Sequence, residues 1–143
     1  MRESGGSCRN LGGPMKIEVS VGEVVDRLSI LEIKLERIGD PAKLQNVRAE
    51  YDLLLKGLEG AGISRESEDF KALKAVNGRL WEIEDLIRKK ERAGQFDREF
   101  VELARAVYRE NDKRFEIKSR INRMTGSKLV EEKEYIDYEQ AGE

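Results

Sequence analysis

The feature that most constrains the fold is a run of apolar residues near the start of the chain. Its members are spaced alternately three and four residues apart: Val21, Val24, Leu28, Leu31, Leu35 and Ile38. Side chains at this spacing fall on one side of an α-helix, so the run predicts an amphipathic helix rather than a strand. Ser20 and Glu23 have the spacing of a capping box, which places the helix start at Ser20.

Three further segments carry the same apolar spacing, and each is bounded by helix start and stop signals. Asp40-Pro41 begins a second helix, and Gly94 and Gly126 end the third and fourth. We therefore predict four helices, near residues 20–38, 41–59, 66–93 and 97–125. The short links predict an all-α fold of two antiparallel helical hairpins, the last two helices being long, in a bundle or coiled-coil-like assembly.

The two ends of the chain differ from its middle. Residues 1–14 contain four glycines and a proline without apolar periodicity, which predicts a disordered N-terminal segment. Met15 is a candidate for the natural start, in which case residues 1–14 are not native. Residues 15–126 form the predicted helical domain, and residues 127–143 form an acidic C-terminal tail.

Composition excludes several classes of function. The chain has no histidine and a single cysteine, Cys8, which argues against a zinc site, an internal disulfide and a Ser-His or Cys-His nucleophile. The net charge of -2 provides no field that would attract nucleic acid. No apolar run reaches the roughly 18 residues of a membrane span, and no secretory signal opens the chain. We expect a cytoplasmic protein without a cofactor.

Polar residues interrupt the facing stripes of helices three and four. They continue the helical spacing of the apolar residues: Asn77, Glu84, Asn111, Arg114 and Lys118. A hairpin turn at Gly94 places Asn77 opposite Arg114. Burying these groups unpaired costs several kcal/mol, so we expect them to pair or to face water. Two interpretations stay open: a device that sets helix register, or a ligand pocket between helices.

The ligand-pocket interpretation names five candidate binding residues between helices three and four: Glu84, Arg105, Tyr108, Asn111 and Lys118. Arg105, Tyr108 and Asn111 follow one another by single helical turns. Glu84 is expected to project from helix three towards Asn111. The hypothesis is a connected polar cluster in which the carboxylate offsets a partly buried cation.

A weaker alternative is a magnesium site. Glu66 and Asp69, and likewise Glu82 and Asp85, are separated by three residues on helix three, so each pair shares a helix face. All-α nucleotide pyrophosphohydrolases use similar acidic pairs, but they need the second pair on a facing helix.

Several segments resemble a bacterial family known only as domain of unknown function 6165. They are GEVVDRLSILEIKLERIGDPAKLQNV, LWEIEDLIRKKE, FDREFVELARAVYRENDKRFEIKSRIN and GSKLVEEKEY, within residues 15–138. The resemblance implies a short helical protein and no reaction. Related segments occur in larger proteins linked to cell-surface polysaccharide synthesis. Because the resemblance includes polar residues such as Asp85, Arg105 and Asn111, it favours a binding site between helices three and four.

Three functions remain open from the sequence. The leading one is a non-catalytic helical interaction or oligomerisation module, either a homodimer or bound to a protein partner. It rests on the apolar surface of helix one, which includes Ile30 and Ile33. This surface is larger than a single partner helix in the hairpin can cover. The second is a small-molecule or phospho-ligand binder at the polar cluster. The third is a magnesium-dependent nucleotide pyrophosphohydrolase-like enzyme.

Overall fold

The computed structural model describes residues 12–139 and contains four α-helices and no strand in that range. The helices are α1 (Val21–Arg37), α2 (Pro41–Gly57), α3 (Glu68–Ala93) and α4 (Arg98–Thr125). These bounds confirm the all-α prediction, and every predicted helix end lies within two residues of the observed one. Residues 1–11 of the N-terminal segment and residues 140–143 of the tail lie outside the described residues.

Local sequence signals account for the helix ends. The side chain of Ser20 accepts a hydrogen bond from the backbone N–H of Glu23, at 3.2 Å, as the capping box predicts. The Glu23 side chain does not complete the capping box as predicted. Its carboxylate instead contacts Lys118 on α4 at 2.8 Å. At the other ends, Gly94 and Gly126 adopt φ values of 66° and 68°, a left-handed conformation that side chains disfavour.

Helix α1 is the central element of the bundle. It packs against α2, α3 and α4, whereas α3 and α4 pack against each other as an antiparallel pair. Leu28 and Leu31 of the predicted stripe are fully buried, as is the neighbouring Val25. Because three helices surround α1, its buried surface extends well beyond one stripe and includes polar side chains.

Interhelical salt bridges mark the pairing of α3 with α4. Arg79 contacts Glu110 at 3.0 Å, and Asp69 contacts Arg120 at 2.7 Å. Helix α1 ends at Arg37, which reaches Glu82 of α3 at 2.9 Å. The remainder of the hairpin, residues 86–107, is called the arm, and none of the buried core residues lies in it.

The C-terminal tail, as far as it is described, lies along the bundle. Residues 127–139, called the strap, run back along α4. Glu131 contacts Lys118 at 3.0 Å, and the Tyr138 hydroxyl donates to Asp112 at 2.7 Å. Within residues 12–139, none of the helices combines the length and apolar composition that a bilayer crossing requires.

A candidate binding cleft beside a buried ion-pair network

A buried carboxylate on α1 organises the centre of the bundle. Asp26 is 1% exposed and accepts hydrogen bonds from Nε and Nη2 of Arg114, at 2.9 and 2.5 Å. Asn77 on α3 donates to the same carboxylate at 2.9 Å and to the Ser29 hydroxyl at 2.8 Å. The hydrogen bond to Asp26 raises the pKa of Arg114, which favours the charged guanidinium. One carboxylate thus joins α1, α3 and α4.

Lys118 extends this network towards the strap. Its side chain is 8% exposed, and its ammonium lies 2.8 Å from Glu23, 3.0 Å from Glu131 and 4.0 Å from Asp26. Burial opposes the charged form of Lys118, but the adjacent carboxylates of Glu23 and Glu131 outweigh burial, so its pKa is raised. The network therefore contains two cations, the partly exposed Arg114 and the buried Lys118, and three carboxylates.

A close approach of backbones holds α1 against α4 beside this network. The N–H of Gly22 donates to the Asn122 side-chain oxygen at 2.7 Å. A Cβ atom at Gly22 would lie 2.6 Å from the carbonyl oxygen of Lys118, which no side chain tolerates. Glycine is therefore required here for space, since it lets the two helices meet at their backbones.

A second buried carboxylate lies further along α1. Glu32 accepts hydrogen bonds from the Tyr51 hydroxyl at 2.9 Å, from Arg65 at 2.5 Å and from Lys74 at 3.1 Å. Burial alone raises the pKa of Glu32, but the three donors outweigh burial and the net pKa is lowered. This contact connects α1 with α2, with the loop before α3 and with α3 itself.

An open cleft of about 390 Å³ lies beside the Asp26 network, between α1, α3 and α4. It has an apolar floor, a polar inner end and an acidic rim. The floor consists of Ile30, Ile33, Leu80 and Trp81, the inner end of Asn77, Asn111 and Arg114, and the rim of Glu84 and Asp85. The guanidinium of Arg37 lies 5.9 Å from the centre of the Trp81 ring.

The structure separates the five predicted binding residues into different surroundings. Glu84 and Asn111 line the cleft together, and Asn111 and Lys118 line a smaller neighbouring cavity of about 160 Å³. Arg105 pairs with Glu102 on its own helix at 3.2 Å, and the Tyr108 ring packs on Tyr138 at 4.8 Å. The expected single connected cluster is therefore not formed.

The reason for this difference is the direction in which each α4 side chain points. Lys118 turns towards α1, because α1 supplies the carboxylates at that level of the bundle. Arg105 and Tyr108 are solvent-exposed. The prediction that Asn77 faces Arg114 is confirmed, since both bind Asp26. Ligand binding by the five residues stays a prediction.

Sequence reasoning missed the residues at the centre of both networks, Asp26 and Glu32. A signal was present in α1, where apolar residues occur on most sides of the helix in the segment VVDRLSILEI. A helix with that pattern has little solvated surface, so an acidic side chain on it must be buried with a partner.

In each acidic pair considered as a magnesium ligand, one residue is the partner of an arginine. Asp69 contacts Arg120 at 2.7 Å, and Glu82 contacts Arg37 at 2.9 Å. Glu66 precedes α3 and does not share a helical face with Asp69, contrary to the prediction. From Asp69 to Asp85 along a helix is roughly 24 Å, so the pairs do not converge. No group of three or more acidic, histidine or cysteine side chains within residues 12–139 is arranged to hold a metal ion.

Comparison with curated proteins and with solved structures gave no significant match. A family model, described as a family of unknown function (DUF6165), matches residues 15–139. The match covers most of the chain and includes both buried networks, the cleft and the strap. It confirms the resemblance identified in the sequence, and the chain belongs to this family of unknown function, DUF6165.

Proposed function

We propose that this protein is a non-catalytic helical interaction module that docks a segment of a partner protein in the cleft. The segment presents an apolar side chain beside a basic one. The observation that carries the proposal is the combination, in one cleft, of an apolar floor and an acidic rim.

The apolar floor is suited to anchoring a side chain. Ile33 is 3% exposed and Trp81 is half-buried, so the floor is held by the surrounding bundle. The inner end is held as well, because Arg114 and Asn77 are tied to Asp26. Concave, preformed apolar sites with few polar groups are typical of binding sites, and tryptophan is enriched at the centres of interfaces.

The charges around the cleft favour a basic partner. The nearby cations already have carboxylate partners, Arg114 with Asp26 and Arg37 with Glu82. On the rim, Glu84 has only a cation on its own helix, Arg88, at 3.8 Å. The field at the rim is therefore negative. It attracts lysine or arginine and disfavours a phosphate, which makes the phospho-ligand alternative the weaker proposal.

The proposal leaves catalysis out because one member of each acidic pair contacts an arginine and the two pairs lie far apart. A link to cell-surface polysaccharide synthesis and a cytoplasmic location belong to the same proposal. The first rests on the family resemblance, and the second on the single cysteine.

Trp81 is the only tryptophan and lines the cleft, so its fluorescence and its indole N–H resonance report directly on occupancy. The probe is a short amphipathic helical peptide of leucine and lysine, and its matched control replaces every lysine by glutamate. We expect a saturable change in both Trp81 signals with the lysine peptide only. Equal responses to the two peptides, or no saturable response at millimolar peptide, would contradict the proposal.

The rim is tested by removing its charge without changing its shape. The double variant Glu84→Gln/Asp85→Asn is expected to weaken binding of the lysine peptide about five- to tenfold, as exposed charge pairs contribute up to ~1 kcal/mol. Glu68→Gln is the matched control, because Glu68 lies on the same helix, away from the cleft, with its side chain 93% exposed. It is expected to bind like the wild type.

A further inference from the structure

The segment that precedes α1 has the pattern of a β-strand, but it pairs with no strand among residues 12–139. Residues 13–19 form no helix, turn or bend, and Met15, Ile17 and Val19 are 88%, 73% and 45% exposed. They alternate with Lys16 and Glu18, so one face of the segment is apolar and the other is charged. Within the described chain, no backbone hydrogen bond joins residues 12–19 to another segment.

A strand-like segment is a template for pairing with another strand when it has an apolar face and its backbone N–H and C=O groups have no backbone partner, as holds here among residues 12–139. We propose that residues 15–19 pair with the same residues of a second copy of this chain, as an antiparallel two-stranded ribbon centred on Ile17. The ribbon joins two copies into a symmetric dimer.

Charge complementarity identifies the second copy as the occupant. In the antiparallel register centred on Ile17, Lys16 lies opposite Glu18 of the second copy, and Glu18 lies opposite its Lys16. Met15 likewise lies opposite Val19, and the two Ile17 side chains meet at the centre. Both charged pairs are of opposite sign, which stabilises cross-strand pairing.

Other arrangements of the same two strands are worse. A parallel ribbon in register places Lys16 beside Lys16 and Glu18 beside Glu18, and like charges in that position destabilise. An antiparallel register shifted by one residue sets apolar side chains opposite charged ones. The five residues therefore select one orientation and one register.

The bundle supplies apolar surface at the base of this ribbon. The N–H of Val21 donates to the Ser127 hydroxyl at 3.3 Å, which brings the start of the strap beside the segment. Met124, Leu129 and Val130, close in sequence to Ser127, are 56%, 48% and 58% exposed. A two-stranded ribbon alone is marginally stable in water, so cover from such side chains supports the pairing.

This inference goes beyond the proposed cleft function, since no cleft residue takes part in the ribbon. It also differs from the dimer expected from the helix-one stripe. That stripe is covered within one chain by α2, α3 and α4. The ribbon instead uses apolar side chains that are exposed on the segment before α1.

The test uses charge reversal in the full chain, with mass measured by light scattering after size-exclusion chromatography over a concentration series. The wild type is expected to form a dimer of two 16.4 kDa chains. Lys16→Glu alone and Glu18→Lys alone each place like charges opposite each other twice, and each is expected to weaken the dimer about tenfold or more. The double variant Lys16→Glu/Glu18→Lys restores both opposite-charge pairs and is expected to dimerise again.

Mixing the two single variants sharpens the test. A chain with Lys16→Glu complements a chain with Glu18→Lys at both positions, so the mixture is expected to form heterodimers when neither variant dimerises alone. Lys71→Glu is the control, because Lys71 is an exposed lysine of α3 far from the segment in sequence. A monomeric wild type at about 1 mM, single variants that dimerise like the wild type, or a mixture that stays monomeric would each overturn the proposal.

Discussion

The bundle around α1 and the arm of the α3–α4 hairpin both contain arginine–carboxylate pairs, but the pairs differ in burial and in the helices that they join. In the bundle, Asp26 and Arg114 form a bidentate pair between two helices, with the Asp26 side chain 2% exposed. In the arm, Arg105 and Glu102 pair within one helix, and their side chains are 45% and 51% exposed. Both pairs join a guanidinium to a carboxylate. They differ in exposure to solvent and in whether they link two helices or lie on one.

This comparison shows which charges specify the fold. A buried carboxylate must be matched by donors in a particular position, so Asp26 and Glu32 determine how α1 meets its neighbours. Exposed pairs along one helix contribute little and exclude no alternative packing. In a hairpin of highly charged helices, the charges at one end can therefore determine how the helices pack, while those at the other end only face solvent.

The largest expected effect comes from removing one buried carboxylate. Asp26→Ala leaves Arg114 without its bidentate partner and is expected to lower the free energy of unfolding by about 3–5 kcal/mol. Glu102→Ala removes the equivalent partner in the arm and is expected to change it by less than about 0.5 kcal/mol. Urea denaturation followed by circular dichroism measures both values. Similar values for the two variants would remove the distinction between bundle and arm.

Two helical glycines provide the next comparison. Gly22→Ala puts a methyl group 2.6 Å from the Lys118 carbonyl oxygen, so the helices must separate. Such overpacking is expected to cost about 1–3 kcal/mol. Gly78 in α3 has open space at its Cβ position, so Gly78→Ala is expected to stabilise the protein by about 0.5–1 kcal/mol. The melting temperatures should move in opposite directions, and a shift in the same direction would show that α1 and α4 do not meet at Gly22.

The smallest effect is a pH dependence at Glu32. Because its pKa is lower in the folded protein, the carboxylate stabilises the fold above its unfolded pKa of about 4.3, and this stabilisation is lost as the pH falls through the folded pKa. Glu32→Gln is expected to be less stable than the wild type by about 1 kcal/mol at pH 7, since its basic partners are partly exposed.

The difference between wild type and Glu32→Gln should shrink below pH 4, where the wild-type carboxylate is also neutral. Thermal melts at several pH values measure it. Glu102→Gln, in the arm, is the control and should match the wild type throughout. A constant difference at Glu32 across the pH range would mean that packing, rather than charge, explains its contribution.

Much of the fold was predictable because its signals are local. The helix stops at Gly94 and Gly126 and the N-caps at Ser20 and Asp40 act through hydrogen bonds or backbone angles within a few residues. The position of Asn77 opposite Arg114 was also predictable, because in a hairpin with a short turn the apolar stripes of the two helices match in only one register.

The candidate site was less predictable because it depends on a third helix. Glu84 and Asn111 do meet in one cleft, but its floor includes Ile30 and Ile33 of α1. Reasoning from α3 and α4 alone predicted that the Lys118 side chain points towards α3. The carboxylates that bind Lys118 belong to α1 and the strap. Their position next to α4 cannot be inferred from the spacing of residues within α4.

The sequence by itself determined the number of helices, their ends and the antiparallel pairing of the last two, since these follow from apolar spacing, caps and short links. Only the tertiary structure decided that α1 is central, that Asp26 and Glu32 are buried and that the cleft opens beside them. The physical reason is that burial of a charge depends on every helix packed around it, and that arrangement is set by long-range contacts rather than by the residues next to it in the chain.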